Sequence, residues 1–258
     1  MLNGVQQISD EYIRTEAMPA CYLCGARGEP LYDGLRDRLY GCPGEWGFLR
    51  CRSCGLVWLS PRPVAAEIHK AYMSYHTHAS REAQPLFGSL RRRFRELVLG
   101  AAFGYGSEKD GRNRTAVGRR LAALTPIGDL AGAGVMWLPA HPGGLLLDVG
   151  CGNGRFLRRM QSLGWQVLGV EPDPEAARVA SEAGVQVIVA SLAEAQLAEG
   201  TFDAVTMHHV VEHLADPVAV LRECRRVMKP SGRLVIVTPN VDSLGHIAWF
   251  GRAWRGLE

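Results

Sequence analysis

Residues 145–157 read LLLDVGCGNGRFL, an apolar run without alternation that ends in an acid and then places glycines at every second position. No other stretch of the chain limits the fold so tightly. An unalternating run of this kind suits a strand buried on both faces of a parallel sheet, and helical spacing begins after Asn153. The expected order is strand, tight turn, helix. Gly150, Gly152 and Gly154 free the backbone to turn sharply and approach a ligand, and the helix N-terminus adds unpaired N–H groups.

The dinucleotide fingerprint G-x-G-x-x-G fails here in both registers, because its last glycine would fall on Arg155 or Leu157. Asp148 stands two residues before the first glycine, where a carboxylate repels a pyrophosphate and attracts a cation. A second strand at 166–170 ends in Glu171, about 20 residues past the glycines, where an acid can accept both hydroxyl hydrogens of a ribose. Asp173 and Pro174 read as N-cap and first helical residue, and Gly184 as the stop. The rhythm then repeats, with strands expected at 186–190, 202–207 and 233–238 and a helix from Asp216-Pro217 to Lys229. This is a doubly wound α/β domain.

The glycine turn resembles the first motif of class I S-adenosylmethionine (SAM) methyltransferases. The resemblance continues through FDAVTMHHVVEHLADP at 202–217, MKPSGRLVIVTPN at 228–240 and WRGLE at 254–258. It implies a Rossmann-like methyltransferase sheet and a cofactor that carries an ammonium and a sulfonium. The implied binding set is Asp148, Gly150, Cys151, Gly152, Asn153, Gly154, Glu171 and Pro172. By the same resemblance Ser191 and Leu192 lie beside the adenine, and Met207 and His208 face the methionine part. The family's sheet needs two more strands after 233–238, and only 18 residues follow Asn240. The C-terminal strands are therefore expected to be missing, leaving Leu234 to Val237 as an apolar edge.

Moving an activated methyl requires an acceptor aligned at about 3 Å, exclusion of water and a base where a proton must leave. The run HHVVEH offers Glu212 and His213 as the catalytic candidates, with His208 related to Glu212 by helical spacing. The same letters match an inverted zinc-protease motif from His209 to His213, but they follow a buried strand directly and leave room for only a short helix before Asp216. Tyr75 and His76, in AYMSYHTH, are further candidates, as parts of a lid over the methyl group.

The chain has 258 residues, 47% apolar and 21% charged, enough for one substantial core and a small accessory module. No run approaches 18 apolar residues and the first 20 residues lack signal-peptide blocks, so a cytoplasmic protein without a membrane partner is expected. In a reducing compartment the spacing of the seven cysteines is read as metal or thiol chemistry. Cys21-x-x-Cys24-Gly25 and Cys51-x-x-Cys54-Gly55 form two knuckles that can close a tetrahedron around a structural zinc. Cys151 and Cys224 read as small buried hydrophobes.

Between the knuckles four basic residues (Arg27, Arg36, Arg38, Arg50) balance four acidic ones (Glu29, Asp33, Asp37, Glu45), which argues against nucleic acid. The knuckles together with CRSCGLVWLSPRP at 51–63 are similar to the N-terminal module of bacterial methyltransferases related to sugar C-methyltransferases and polysaccharide-pathway enzymes. That resemblance implies a small acceptor, a sugar or sugar nucleotide. The expected plan is a zinc-knuckle module with possible lid at 1–78, a helical linker region at 79–140 and a SAM-binding domain at 141–258. The alternatives are an RNA methyltransferase with a zinc ribbon, a non-catalytic SAM-binding fragment and a nicotinamide-dependent oxidoreductase. Oligomeric state is left open.

Overall fold

The computed structural model describes residues 13–38, 41–72, 88–106 and 125–253. Two compact units divide the chain, one of Met1–His76 with Pro239–Glu258 and one of Thr77–Thr238. Packing thus groups residues after Pro239 with the N-terminal module, where the sequence suggested a domain running from 141 to the end.

The first unit holds β1 (Thr15–Glu16), β2 (Gly28–Leu35), β3 (Trp46–Cys51), β4 (Val57–Leu59) and β5 (Arg62–Pro63). Strands β2, β3 and β4 form an antiparallel sheet, and β1 pairs with β5. Its buried cluster is Cys21, Cys51 and Trp58, with Met18, Ala26, Leu49 and Leu56 packed around them. Trp58 closes over Gly28, where a Cβ would come within 2.6 Å of the indole, and its Nε1 donates to the Met18 carbonyl at 2.8 Å. A core this small does not support a fold by itself.

The second unit runs α1 (Gly88–Phe103), α2 (Thr125–Ala133), β6 (Leu145–Val149), α3 (Arg155–Ser162), β7 (Gln166–Val170), α4 (Pro174–Glu182), β8 (Val187–Ile188), β9 (Phe202–His208), α5 (Pro217–Val227) and β10 (Met228–Val237). The five strands lie in the order β10-β9-β6-β7-β8, all parallel. Strand order reverses at β6, so β7 lies on one side of it and β9 on the other, and ligands of open α/β sheets bind at the carboxyl ends beside such a reversal.

The run at 145–149 lacks alternation because both faces of β6 are covered. Leu146 joins one buried cluster with Leu157, Met160, Trp165, Ala180 and Ala204, whereas Leu147 and Val149 join another with Val170, Phe202, Val205, Met207 and Cys224. Helices α4 and α5 begin where expected. Asp173 caps the first by accepting from the Glu175 N–H at 2.9 Å, and Asp216 caps the second by accepting from the Ala219 N–H at 2.9 Å.

Three expectations need correction. The strand at 186–190 shortens to two residues, with Val189 exposed. The last strand begins at Met228, because α5 ends at Val227 and the pairing with β9 shifts register between Met228 and Arg233. The region read as a linker is part of the core: Val98, Leu99, Tyr105, Ala131, Val135 and Leu138 are buried against the sheet. Tyr105 donates to the Leu138 carbonyl at 3.0 Å and accepts from Trp165 Nε1 at 3.1 Å. Among the described residues β10 pairs only with β9 and forms an edge of the sheet.

Candidate functional site

The glycine turn hangs from the end of β7, with the N–H groups of Gly150 and Cys151 both donating to the Val170 carbonyl at 2.8 and 3.3 Å. Gly150, Gly152 and Gly154 have φ of 70°, 53° and 70°, a region that L side chains rarely adopt. Their surroundings differ. A Cβ at Gly150 would come 2.6 Å from Val210, and one at Gly154 would come 2.8 Å from Ala180 Cβ, so both are demanded by packing. A Cβ at Gly152 would meet nothing within 4 Å, so this glycine presents its backbone to open space.

Asp148 is buried near the end of β6, and its Oδ1 accepts from the Thr206 hydroxyl on β9 at 2.7 Å. Burial pushes its carboxyl up to about 7; the Thr206 hydrogen bond opposes the rise and the charge of Glu171 adds to it. Glu171, also buried, follows β7 directly. Its Oε2 accepts from the Gly152 N–H at 2.8 Å and its Oε1 from the Asp173 N–H at 3.0 Å. Burial raises this carboxyl as well, against the pull of the two N–H groups. Two buried acids at the reversal point of the sheet, with the charge of Glu171 raising the proton affinity of Asp148 and that of Asp173 raising the proton affinity of Glu171, make a site that favours a cation.

The remaining residues of the expected binding set are placed as follows. Asn153 accepts from the Arg155 N–H at 3.2 Å at the start of α3, and Pro172 is exposed between Glu171 and Asp173. Cys151 turns its thiol inward against Gly169, where a Cβ would come 2.5 Å from the sulfur, and burial pushes the thiol up to about 12. Ser191 closes a turn with Glu194: its N–H and hydroxyl donate to Glu194 Oε2 at 2.9 and 2.6 Å, and its hydroxyl oxygen accepts from the Glu194 N–H at 3.4 Å. The side chains of Leu192 and Met207 belong to the core, which leaves their backbones as the groups able to face a ligand.

At the end of β9, His208 is exposed and its ring stands edge-on to His209 at 4.5 Å. The expected pairing of His208 with Glu212 is not made. His209 has a φ of 55°, donates its N–H to the Val237 carbonyl at 2.8 Å and itself meets Glu212, Nδ1 to Oε1, at 3.2 Å. Helical spacing does not apply across a strand end and a left-handed residue, and only Val211–His213 forms a single 3-10 turn. Partial loss of hydration holds His208 and His213 below the usual imidazole range. Tyr75 and His76 lie outside the described residues.

Two contributors were missed from the sequence. Thr206 orients Asp148, and Val210 closes over Gly150. A hydroxyl inside the apolar run of β9 was the available signal for the first; nothing local marks the second.

In the other unit, the sulfurs of Cys21, Cys24, Cys51 and Cys54 all lie within 4.8 Å of one another, with Cys21 to Cys54 at 3.5 Å and Cys24 to Cys51 at 3.4 Å. A tetrahedron with Zn–S bonds of 2.3 Å has edges of about 3.8 Å, so the spacing fits one ion. The knuckles have the same backbone. In each, the first cysteine's N–H donates to the carbonyl five residues on (Ala26, Leu56) at 2.8 Å, and Gly25 or Gly55 donates back to the cysteine carbonyl. Both glycines have positive φ, 75° and 79°. The Cys54 N–H is the largest of the influences that lower the Cys51 thiol, to about 6, whereas the neighbouring thiols and burial raise Cys24 and Cys54, so the metal-free cluster favours a single thiolate at Cys51. Among the described residues this is the one group of three or more Cys, His, Asp or Glu side chains that could share an ion. His209, Glu212 and His213 do not form one.

Residues 147–236 match the family model described as a methyltransferase domain. The ubiquinone biosynthesis O-methyltransferase of Xanthomonas campestris pv. campestris is 42% identical over 110 residues, 39% of this chain and 45% of that protein. Its counterpart in Xanthomonas oryzae pv. oryzae is 42% identical over 107 residues, 38% of this chain and 44% of that protein. The chain thus spans less than half the length of these curated relatives. Among solved structures, an S-adenosylmethionine dependent methyltransferase from Mesorhizobium loti is 25% identical with a TM-score of 0.38, covering 41% of this chain and 51% of the other. A SAM dependent methyltransferase from Archaeoglobus fulgidus is 32% identical with a TM-score of 0.36, covering 39% and 47%. The α/β unit has a Rossmann-like fold on a parallel sheet, and its residues 147–236 carry the match to the methyltransferase domain.

Proposed function

We propose that this chain binds SAM at the carboxyl ends of β6 and β7 and transfers its methyl group to a small, sugar-like metabolite. The observation that carries this reading is the pair of buried carboxylates, Asp148 and Glu171, at the carboxyl ends of neighbouring strands, the second of them accepting from the N–H of Gly152, a glycine whose backbone faces open space. SAM, when bound, supplies a methyl group already activated on a sulfonium.

The chain's own residues do the rest. Asp148 offers a poorly hydrated negative charge to an ammonium, and Glu171 keeps acceptor capacity for ribose hydroxyls beyond its two backbone bonds. Gly150, Gly152 and Gly154 let the chain pass close to the cofactor, Asn153 fixes the start of α3, and Cys151 and Pro172 bracket the crevice with their backbones. Ser191, Leu192, Met207 and His208 would line the same edge further along the sheet. Glu212 and His213 are the candidate bases, with His208 as a third. A His213 ring held below its usual range is neutral at pH 7 and free of the proton it must accept from an acceptor hydroxyl. Tyr75 and His76 remain candidates for a lid.

Cys21, Cys24, Cys51 and Cys54 would hold a structural zinc, which contributes folding energy to a module whose buried cluster, among the described residues, is Cys21, Cys51 and Trp58. The balanced charge between the knuckles supports a small acceptor over nucleic acid. The O-methyltransferase relatives support a small molecule, and the sugar class rests on the resemblance of residues 51–63. No helix among the described residues is long and apolar enough to cross a membrane. A cytoplasmic setting that keeps all seven cysteines reduced fits this reading.

Calorimetry with SAM and with NADH tests the cofactor: SAM should bind and NADH should not, and a preference for NADH overturns the class. Transfer of labelled methyl to nucleotide sugars, set beside small phenols, tests the acceptor. Methylation of the phenols alone would remove the sugar reading. Metal analysis should find about one zinc per chain.

A further inference from the structure

The segment 239–253 follows β10 by sequence but is held by the cysteine module through three ties. Arg50, the residue before Cys51 on β3, donates from Nη2 to Asp242 Oδ1 at 2.9 Å. Tyr32 on β2 meets the buried His246 at 2.8 Å, hydroxyl to Nε2. Arg252 donates to the Asp33 carbonyl, lies 3.6 Å from the Asp33 carboxylate and sits 6.0 Å above the Tyr32 ring.

The middle tie has a defined direction. His246 Nδ1 faces the Val241 carbonyl, which can only accept, so Nδ1 of the neutral ring carries the hydrogen and Nε2 accepts from the Tyr32 hydroxyl. The segment buries little apolar surface: His246 is its only buried residue, while Leu244, Ile247, Trp249 and Phe250 are all more than half exposed.

All four anchors, Tyr32, Asp33, Arg50 and Arg38, whose Nη2 donates to the Arg252 carbonyl at 3.4 Å, stand on the β2–β3 hairpin and its connecting loop, which lead from one cysteine pair to the other. That hairpin is closed at its base by Gly28 opposite Cys51 and shares the module's buried cluster of Cys21, Cys51 and Trp58. We infer that metal binding at the four cysteines orders residues 241–252, which dock as a strap on the hairpin and are released when the metal leaves. The inference rests on the zinc reading above. It adds that the ion governs a stretch of chain about 190 residues away in sequence, through hydrogen bonds and not through shared apolar burial.

Hydrogen exchange on the full chain, zinc-loaded and after chelation under reducing conditions, tests this, with zinc measured on the same samples. Chelation should speed exchange about tenfold or more in peptides covering both 28–51 and 241–250, and leave 145–170 unchanged. Zinc loss that loosens 28–51 while 241–250 keeps its protection overturns the strap and leaves the zinc site intact. Chain that carries no zinc as purified, yet protects both stretches, overturns the metal reading and the strap together. Tyr32→Phe provides a test without unfolding: with zinc retained, exchange in 241–250 should rise several-fold while 28–51 stays protected. No change in that variant would also overturn the docking.

Discussion

The buried carboxyl of Asp148 makes cofactor affinity depend on pH. In the free protein burial holds this group at about 7, so at pH 5 only about one molecule in a hundred carries the charge that an ammonium needs. A bound cation favours the carboxylate and lowers its pKa, so binding below pH 7 must release a proton. Affinity should therefore fall about tenfold per pH unit below 7, about a hundredfold between a plateau above pH 8 and pH 5, or about 2.7 kcal/mol. Calorimetry in two buffers of different ionisation enthalpy reads both affinity and proton release. Asp148→Asn keeps an acceptor for Thr206 but removes the titration, so its affinity should be lower at pH 8 and lose most of the slope, the remainder belonging to Glu171. The ligand-free fold gives an opposite sign. A carboxyl whose folded pKa is raised destabilises the protein progressively as pH climbs from its unfolded value to about 7, so Asp148→Asn should melt higher than the parent at pH 8. A flat affinity from pH 5 to 8, or a slope unchanged in the variant, would refute the reasoning.

Other outcomes follow from single contacts. Gly154→Ala places a methyl 2.8 Å from Ala180 Cβ at a positive φ and should cost about 1–3 kcal/mol in denaturant melts; Gly152→Ala has space for its methyl and should lose SAM affinity more than stability. Tyr105→Phe leaves the buried Trp165 Nε1 without its acceptor and should destabilise the α/β unit by about 1–3 kcal/mol, whereas a wild-type melt would return residues 88–138 to the status of a connector. His213→Gln should lower kcat with little change in SAM affinity and remove the acid limb of the kcat profile, which in the parent lies below the ordinary imidazole value.

What could be read from the sequence divides by how far each arrangement reaches along the chain. The cysteine knuckles were legible because C-x-x-C-G closes its own turn: every bond that shapes it joins residues no more than five apart. The β6 strand was legible because coverage of both faces erases alternation within five residues. The three glycines, alike in the sequence, differ only in what stands opposite. Val210 and Ala180 claim two of them from 60 and 26 positions away, and only Gly152 is left for a ligand. His208 and Glu212 have helical spacing, but spacing carries meaning only while one backbone conformation persists, and the left-handed His209 ends it. The stretch before β6 failed for the complementary reason. Its buried residues, Val98, Leu99, Tyr105, Val135 and Leu138, are separated by glycine-rich text that hides any single period, and they become a pattern only against Leu157 and Trp165. Local chemistry therefore marked where a cation and a metal could sit. The partners that aim Asp148, close the glycine turn and hold the strap at Tyr32 are decided by contacts across the fold, and the side chains most useful to mutate next are among those partners.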